Sequence, residues 1–163
     1  MHFILLGLVS ASLCLASTQH TAAAQKKQQG EELTYLAGLK GRCVKLQINK
    51  LDASDQCKGL VLNTAYTSGR SGFYFVTEDG AALTFSGDGK AQVKKSEDDV
   101  VQPVDVVIFT YKGKSNRSPA VGACSFSNPN KGTATVHCKA DTGGEQFEAE
   151  FVSDGSPPRP LRP

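Results

Sequence analysis

The sequence predicts an all-β domain, an antiparallel sandwich or barrel of about eight or nine strands with two short-range disulfides. Three observations predict it. Short runs of alternating apolar and polar residues recur along the chain, bounded by Gly, Asn and Asp. No window sustains the 3.6-residue apolar period of an amphipathic helix. Four cysteines form two pairs of equal spacing, Cys43 with Cys57 and Cys124 with Cys138, each 14 residues apart.

The first segment stands outside this domain. Phe3 to Leu15 is a 13-residue apolar stretch, too short to span a bilayer, and small residues ending Ala22-Ala23-Ala24 follow it. That pattern reads as a secretory signal over residues 1–24, cut after Ala24, although no Lys or Arg precedes Lys26. An uncleaved anchor is the rival reading. A lipoprotein acceptor at Cys14 fits less well, because Leu13 stands where a small residue is expected. Removing 24 of the 163 residues leaves 139, the size of one domain, and discards the fifth cysteine. The four that remain, in an exported chain, point to an oxidising compartment and to disulfides.

Their spacing suggests an internal duplication. Gly41 to Lys58 and Gly122 to Lys139 agree, without gaps, at the Gly, both Cys, Asn49/Asn130, Lys50/Lys131, Ala53/Ala134 and Lys58/Lys139. With a gap, Thr67 to Gly80 and Thr142 to Gly155 both run from a Gly-rich turn to Phe-Val, a hydroxyl residue and Asp-Gly. The expectation is two related modules, 41–80 and 122–155, inside one β domain over 41–155. Opposed cysteines would place hairpin apexes at Lys50 and Lys131, beside Asn49 and Gly132, residues that tolerate positive φ. The second hairpin then sets Phe126 against Val136 and Ser125 against His137. The return arm of the first, Asp52 to Gln56, is polar and reads equally as a disulfide-closed loop.

The remaining elements follow in order. Residues 25–40 read as a polar lead-in, with Leu33 to Leu39 a helical turn or a first strand. Val44, Leu46 and Ile48 alternate with Lys45 and Gln47, the period of a half-buried strand. Leu60 to Tyr66, Phe73 to Thr77 and Ala82 to Ser86 are further strands, the last two joined through Asp79-Gly80. Asp88-Gly89 marks a turn before Ala91 to Lys95. Val104 to Tyr111 is apolar on both faces, with Asp105 its odd member, and reads as central. Gly113 to Pro119 reads as a polar loop. Phe147, Ala149 and Phe151 alternate with Glu148 and Glu150. Residues 156–163, rich in proline, read as a disordered tail.

Catalytic chemistry finds little support. Beyond residue 24 the chain holds one histidine, His137, and no Met. That excludes paired-histidine zinc motifs and, with the cysteines oxidised, Cys-His dyads. Ser125 and His137 are the one nucleophile and base that the register brings together, and no nucleophile-elbow signature surrounds Ser125. Asp52, Asp55, Glu78, Asp79, Asp98 and Asp99 lie in turns, and nothing selects a hydrolytic pair among them. Asp79 or Asp88 could at most hold calcium weakly, and no cofactor is implied. With 18 basic and 16 acidic residues the net charge of +2 announces no nucleic-acid partner. Lys112, Lys114 and Arg117, in or beside the polar loop, are the candidate binding residues.

Asn128-Pro129, Cys138-Lys139-Ala140-Asp141-Thr142 and Phe151-Val152-Ser153-Asp154-Gly155-Ser156-Pro157-Pro158 resemble a pattern of small exported bacterial β-domain proteins. The resemblance implies a periplasmic or secreted setting and no activity. The functional expectation is a non-catalytic module that binds a protein, a glycan or a small ligand, without stable membrane insertion once the signal is removed. The alternatives are a periplasmic inhibitor of a peptidase or lysozyme and, third, a carboxylate-dependent envelope hydrolase.

Overall fold

The alternation read at Val44 to Ile48 begins eleven residues earlier, because Leu33–Ile48 forms one long strand, β1. It opens a computed structural model that describes residues 31–162. The signal segment and its Ala24 boundary lie outside the described residues. β1 thus takes up the second half of the segment read as a polar lead-in.

In chain order β1 is followed by the two-residue β2 (Leu51–Asp52), then β3 (Cys57–Tyr66), β4 (Arg70–Thr77), β5 (Ala82–Asp88) and the short β6 (Val93–Lys94). β7 (Asp99–Tyr111), β8 (Lys114–Ser127), β9 (Thr135–Asp141), β10 (Gln146–Ser153) and the two-residue β11 (Arg159–Pro160) complete it. The eight long strands pair in chain order, and β10 returns to β1, which closes an antiparallel barrel. Closure removes the sheet edges that an open sandwich would leave.

Phe75, Phe85, Phe151, Leu46 and Leu83 fill the middle of the barrel and are essentially inaccessible to solvent. The Phe75 and Phe85 rings meet edge to face with centroids 5.9 Å apart. Between these inward positions, Lys45, His137, Lys139, Glu148 and Glu150 occupy the outer face, as the two-residue period requires.

Both disulfides form as the spacing predicted, Cys43–Cys57 and Cys124–Cys138. Cys124 stands directly opposite Cys138 in the β8–β9 ladder, with Ser125 opposite His137 and Phe126 opposite Val136, in the expected register. The first module departs at its tip. Ile48 pairs with Leu51 around Asn49, whose φ is 55°, and a 3-10 turn at Ser54–Gln56 replaces a return arm. The register that opposes the cysteines survives lower down. Leu39 faces Val61 and Lys40 faces Leu60 in the β1–β3 ladder, so Cys43 and Cys57 lie on its continuation, just past its last pair.

The two aligned segments, 41–80 and 122–155, place several matching residues in similar settings. Phe75 and Phe151 are fully buried, Thr77 and Ser153 are buried after them, and Gly80 and Gly155 take φ of 83° and 85°. Gly41 and Gly122 each press on a neighbouring strand. A Cβ there would overlap the carbonyl oxygen of Val152 or of Lys139. The glycine two residues before each first cysteine is therefore fixed by backbone contact.

Three local readings are corrected. Gly113 to Pro119 is not a loop, since Tyr111 pairs with Lys114 around a two-residue turn and Phe109 pairs with Asn116. Lys112 and Gly113 supply the positive φ, 48° and 73°, that such a turn demands. The faces of Val104 to Tyr111 do not alternate strictly. The register shifts between Val104 and Val106, so Val104 and Val107 both turn inward, while Asp105 stays outside in a two-pronged pair with Arg70 (2.7 and 3.1 Å). The tail is held. Ala37 pairs with Pro160, Gly38 with Arg159, and the Leu161 N–H donates to the Leu36 carbonyl (2.9 Å). Prolines remove donors from this segment, and Leu161 keeps the one that it uses.

Candidate functional site

β1 changes partner at Gly41. Leu33 to Lys40 run beside β3, and Gly41 to Ile48 run beside β10. β10 ends at Ser153, so the first half of β1 has on its other side only the two residues of β11. This leaves a seam at one mouth of the barrel, and a pocket of about 280 Å³ opens there. Ala37, Leu39, Val61 and Val136 belong to its apolar lining, Tyr35 and Asn63 stand toward the mouth, and Pro158 of the tail contributes to the wall.

The inward alternation of β1 and β3 produces this lining, with Leu39 opposite Val61 and Ala37 opposite Asn63. Phe73 from β4 and Phe126 from β8 also line it. Their rings meet across the mouth with centroids 5.0 Å apart. Asn63 Nδ2 donates to the Gly72 carbonyl (3.1 Å), which holds the carboxamide at the wall. The site is apolar and has few polar groups, the make-up of small-ligand pockets, and its volume falls just under their usual range of roughly 300–1,000 Å³.

The residues proposed from sequence lie elsewhere. Lys112 is in the β7–β8 turn, Lys114 and Arg117 are on β8, and all three are exposed. None of them lines the seam pocket. Cys43, Cys57, Cys124 and Cys138 are structural. The signals for the pocket were the early alternation at Tyr35, Ala37 and Leu39 and the aromatic Phe126. No sequence feature announced that the tail would return to it.

Ser125 and His137 are neighbours on the outer face, as the register required. The Ser125 hydroxyl donates to the main-chain carbonyl of His137 (3.5 Å), not to the ring. The ring Nε2 lies 3.0 Å from Glu148 Oε1, and Lys45 Nζ lies 2.7 Å from Glu148 Oε2. Glu148 is thus a hub between a lysine and a histidine, and the serine has no base at its proton. A broad depression of about 400 Å³ on this outer face includes Ser125, His137 and Lys139, open to solvent.

Asp52, Asp79, Asp98 and Asp99 are each held in a hydrogen bond. Asp52 accepts from Ser54, Asp79 from Thr77 and the Ala81 N–H, and Asp98 from Lys131, and each bond holds its carboxyl below the usual range. Asp88 accepts from the Lys90 N–H. A general acid for glycoside cleavage needs the opposite shift. The Tyr74 phenol is pushed up to about 12 by burial and by the Tyr66 hydroxyl 3.1 Å away, so it is no base at neutral pH. Among the described residues no three His, Cys, Asp or Glu side chains gather as a metal site.

The Lys45 ammonium and then His137 lower the Glu148 pKa. A depressed carboxyl stabilises the fold above its unfolded pKa of about 4.3, and that contribution is lost as the pH falls through the lowered folded value. Glu148→Gln is expected to cost about 0.5–1 kcal/mol at pH 7 and nothing at a pH below the folded pKa. Urea unfolding of both proteins across that range checks it, and a difference that persists in acid would assign the effect to shape instead of charge.

No family model, curated protein or solved structure matches the chain.

Proposed function

We propose that this chain is an exported, non-catalytic binding protein that takes a small apolar or aromatic group into the seam pocket of its barrel. The observation that carries the reading is the contrast between a barrel packed with phenylalanine at its middle and the half-enclosed apolar space at one mouth. Unfilled apolar space costs packing energy, and an apolar guest recovers it.

Export fits the two disulfides, which persist in oxidising compartments such as the periplasm or the extracellular space. Residues 1–24 then serve as the secretory signal. Among the described residues no helix is long and apolar enough to cross a membrane. The barrel carries its phenylalanines inside and its charged side chains outside, the reverse of a membrane-spanning barrel. Among the described residues Ser125 donates to a carbonyl and not to the His137 ring, and the Asp52, Asp79, Asp98 and Glu148 carboxyls are shifted down, which supports a binding role over hydrolysis.

Indole is a suitable probe because the chain has no Trp, so indole emission reports the ligand alone. Saturable binding is expected, with amide shifts at Ala37, Asn63 and Val136. Ala37→Leu, which fills the wall, is expected to weaken it by about tenfold or more, equivalent to ~1.4 kcal/mol, while the circular dichroism spectrum stays unchanged. Equal binding by a folded Ala37→Leu protein, or none at millimolar indole, would remove the proposal.

A further inference from the structure

β8 begins well before β9 joins it, while β7 on its other side stays paired with β5 up to Thr110. β9 lies beside β8 from Val121 to Phe126, whereas Lys114 to Pro119 pair with β7 alone. One edge of that stretch is therefore open. The two-residue turn makes Tyr111 and Lys114 the closing hydrogen-bonded pair. By the alternation of an antiparallel ladder, the N–H and C=O groups of Ser115 and Arg117, and the C=O of Pro119, then point away from β7. Pro119 falls where its missing donor would have faced outward, so it costs the β7–β8 ladder nothing.

Charge says what kind of chain fits this edge. Lys112, Lys114 and Arg117 flank it, all exposed, and among the described residues none of them belongs to an ion pair. Arg117 lies near enough to Asp105, and Lys112 to Asp79, only to lower those carboxyl pKa values at a distance. A second copy laid antiparallel along the same edge would bring its own Lys112, Lys114 and Arg117 beside these three cations, so like charge opposes self-pairing.

We infer that the Lys114 to Pro119 edge of β8 receives an extended acidic segment of a partner protein as an added antiparallel strand, continuing the line of β9. Main-chain hydrogen bonds to Ser115 and Arg117 supply affinity, and carboxylates beside Lys112, Lys114 and Arg117 select the sequence. The site is separate from the seam pocket and does not depend on it.

The probe is a blocked hexapeptide alternating Glu and Thr, added to the whole protein and followed by amide hydrogen exchange. Saturating peptide is expected to slow the Ser115 and Arg117 amides by about tenfold or more, and to leave Asn116 and Ser118, already bonded to β7, unchanged. A Lys-for-Glu peptide and an N-methylated Glu peptide are expected to do nothing. Lys114→Glu combined with Arg117→Glu should weaken binding about tenfold, ~1.4 kcal/mol, at an unchanged melting temperature. No slowing at millimolar peptide, or equal slowing by the Lys peptide, would mean that the charges only guard the edge. Protection that appears without peptide and grows with protein concentration would assign the edge to a second copy and overturn the inference.

Discussion

Removing the Cys124–Cys138 disulfide by Cys124→Ala with Cys138→Ala is expected to destabilise the protein by about 4 kcal/mol, against about 3 for Cys43→Ala with Cys57→Ala. Both bridges close loops with the same 14-residue separation. The chain-entropy contribution is therefore equal, roughly 3 kcal/mol for each. Any difference must come from the folded state. Cys124 and Cys138 are fully buried in the core, directly opposite each other in the ladder. Cys43 and Cys57 are half-buried, beyond the last β1–β3 pair. Truncating Cys124 and Cys138 leaves a cavity in the core cluster of Phe, Val and Leu side chains, whereas water can replace the sulfurs of Cys43 and Cys57. Urea unfolding of the two double variants tests this, and an equal or larger loss at Cys43–Cys57 would sink the packing argument.

Phe151→Ala and Phe75→Ala should each cost about 3–5 kcal/mol, the range for emptying a fully buried phenylalanine site. Domains of this size hold only about 5–15 kcal/mol in total, so either variant is expected to be marginal at 37 °C. The two residues end corresponding strands of the two modules, each followed by Val, a buried hydroxyl residue and a glycine at positive φ. Similar losses are the expected result. Phe85→Ala gives an internal control, because Phe85 meets Phe75 edge to face. The double variant Phe75→Ala/Phe85→Ala should lose less than the sum of the singles, by roughly 0.5–1.5 kcal/mol. Strict additivity would show that the ring contact contributes nothing beyond burial.

How much of this was legible varied with the range of the interaction. The β8–β9 hairpin was readable in full, since Cys124, Phe126, Val136 and Cys138 fix one register within 15 residues of chain. The first hairpin was readable only in its stem. Polar Asp52 to Gln56 gave no strand signal, and the structure uses them for a turn in which Ser54 hydrogen-bonds to Asp52. Gly113 to Pro119 was misread for a related reason. Strand formation there depends on β5 and β7, which supply the ladder for a segment with no apolar alternation of its own. The candidate site was legible only in part. Tyr35, Ala37 and Leu39 alternate visibly, but the approach of Phe126 and Pro158 is set by closure of the barrel.

The all-β class, the two disulfides and the register of the β8–β9 hairpin are written into the local sequence. Each rests on local periodicity, on turn residues or on a count. Barrel rather than sandwich was decided by one long-range event, the pairing of the second half of β1 with β10. That contact lets Gly41 close against Val152 and Ser153 and strands the first half of β1 beside the tail. Residues more than 100 positions apart meet there, and no local preference of either segment encodes the other. The seam pocket follows from where that closure leaves β1 without a full-length neighbour, and the open edge of β8 from β9 ending at Asp141.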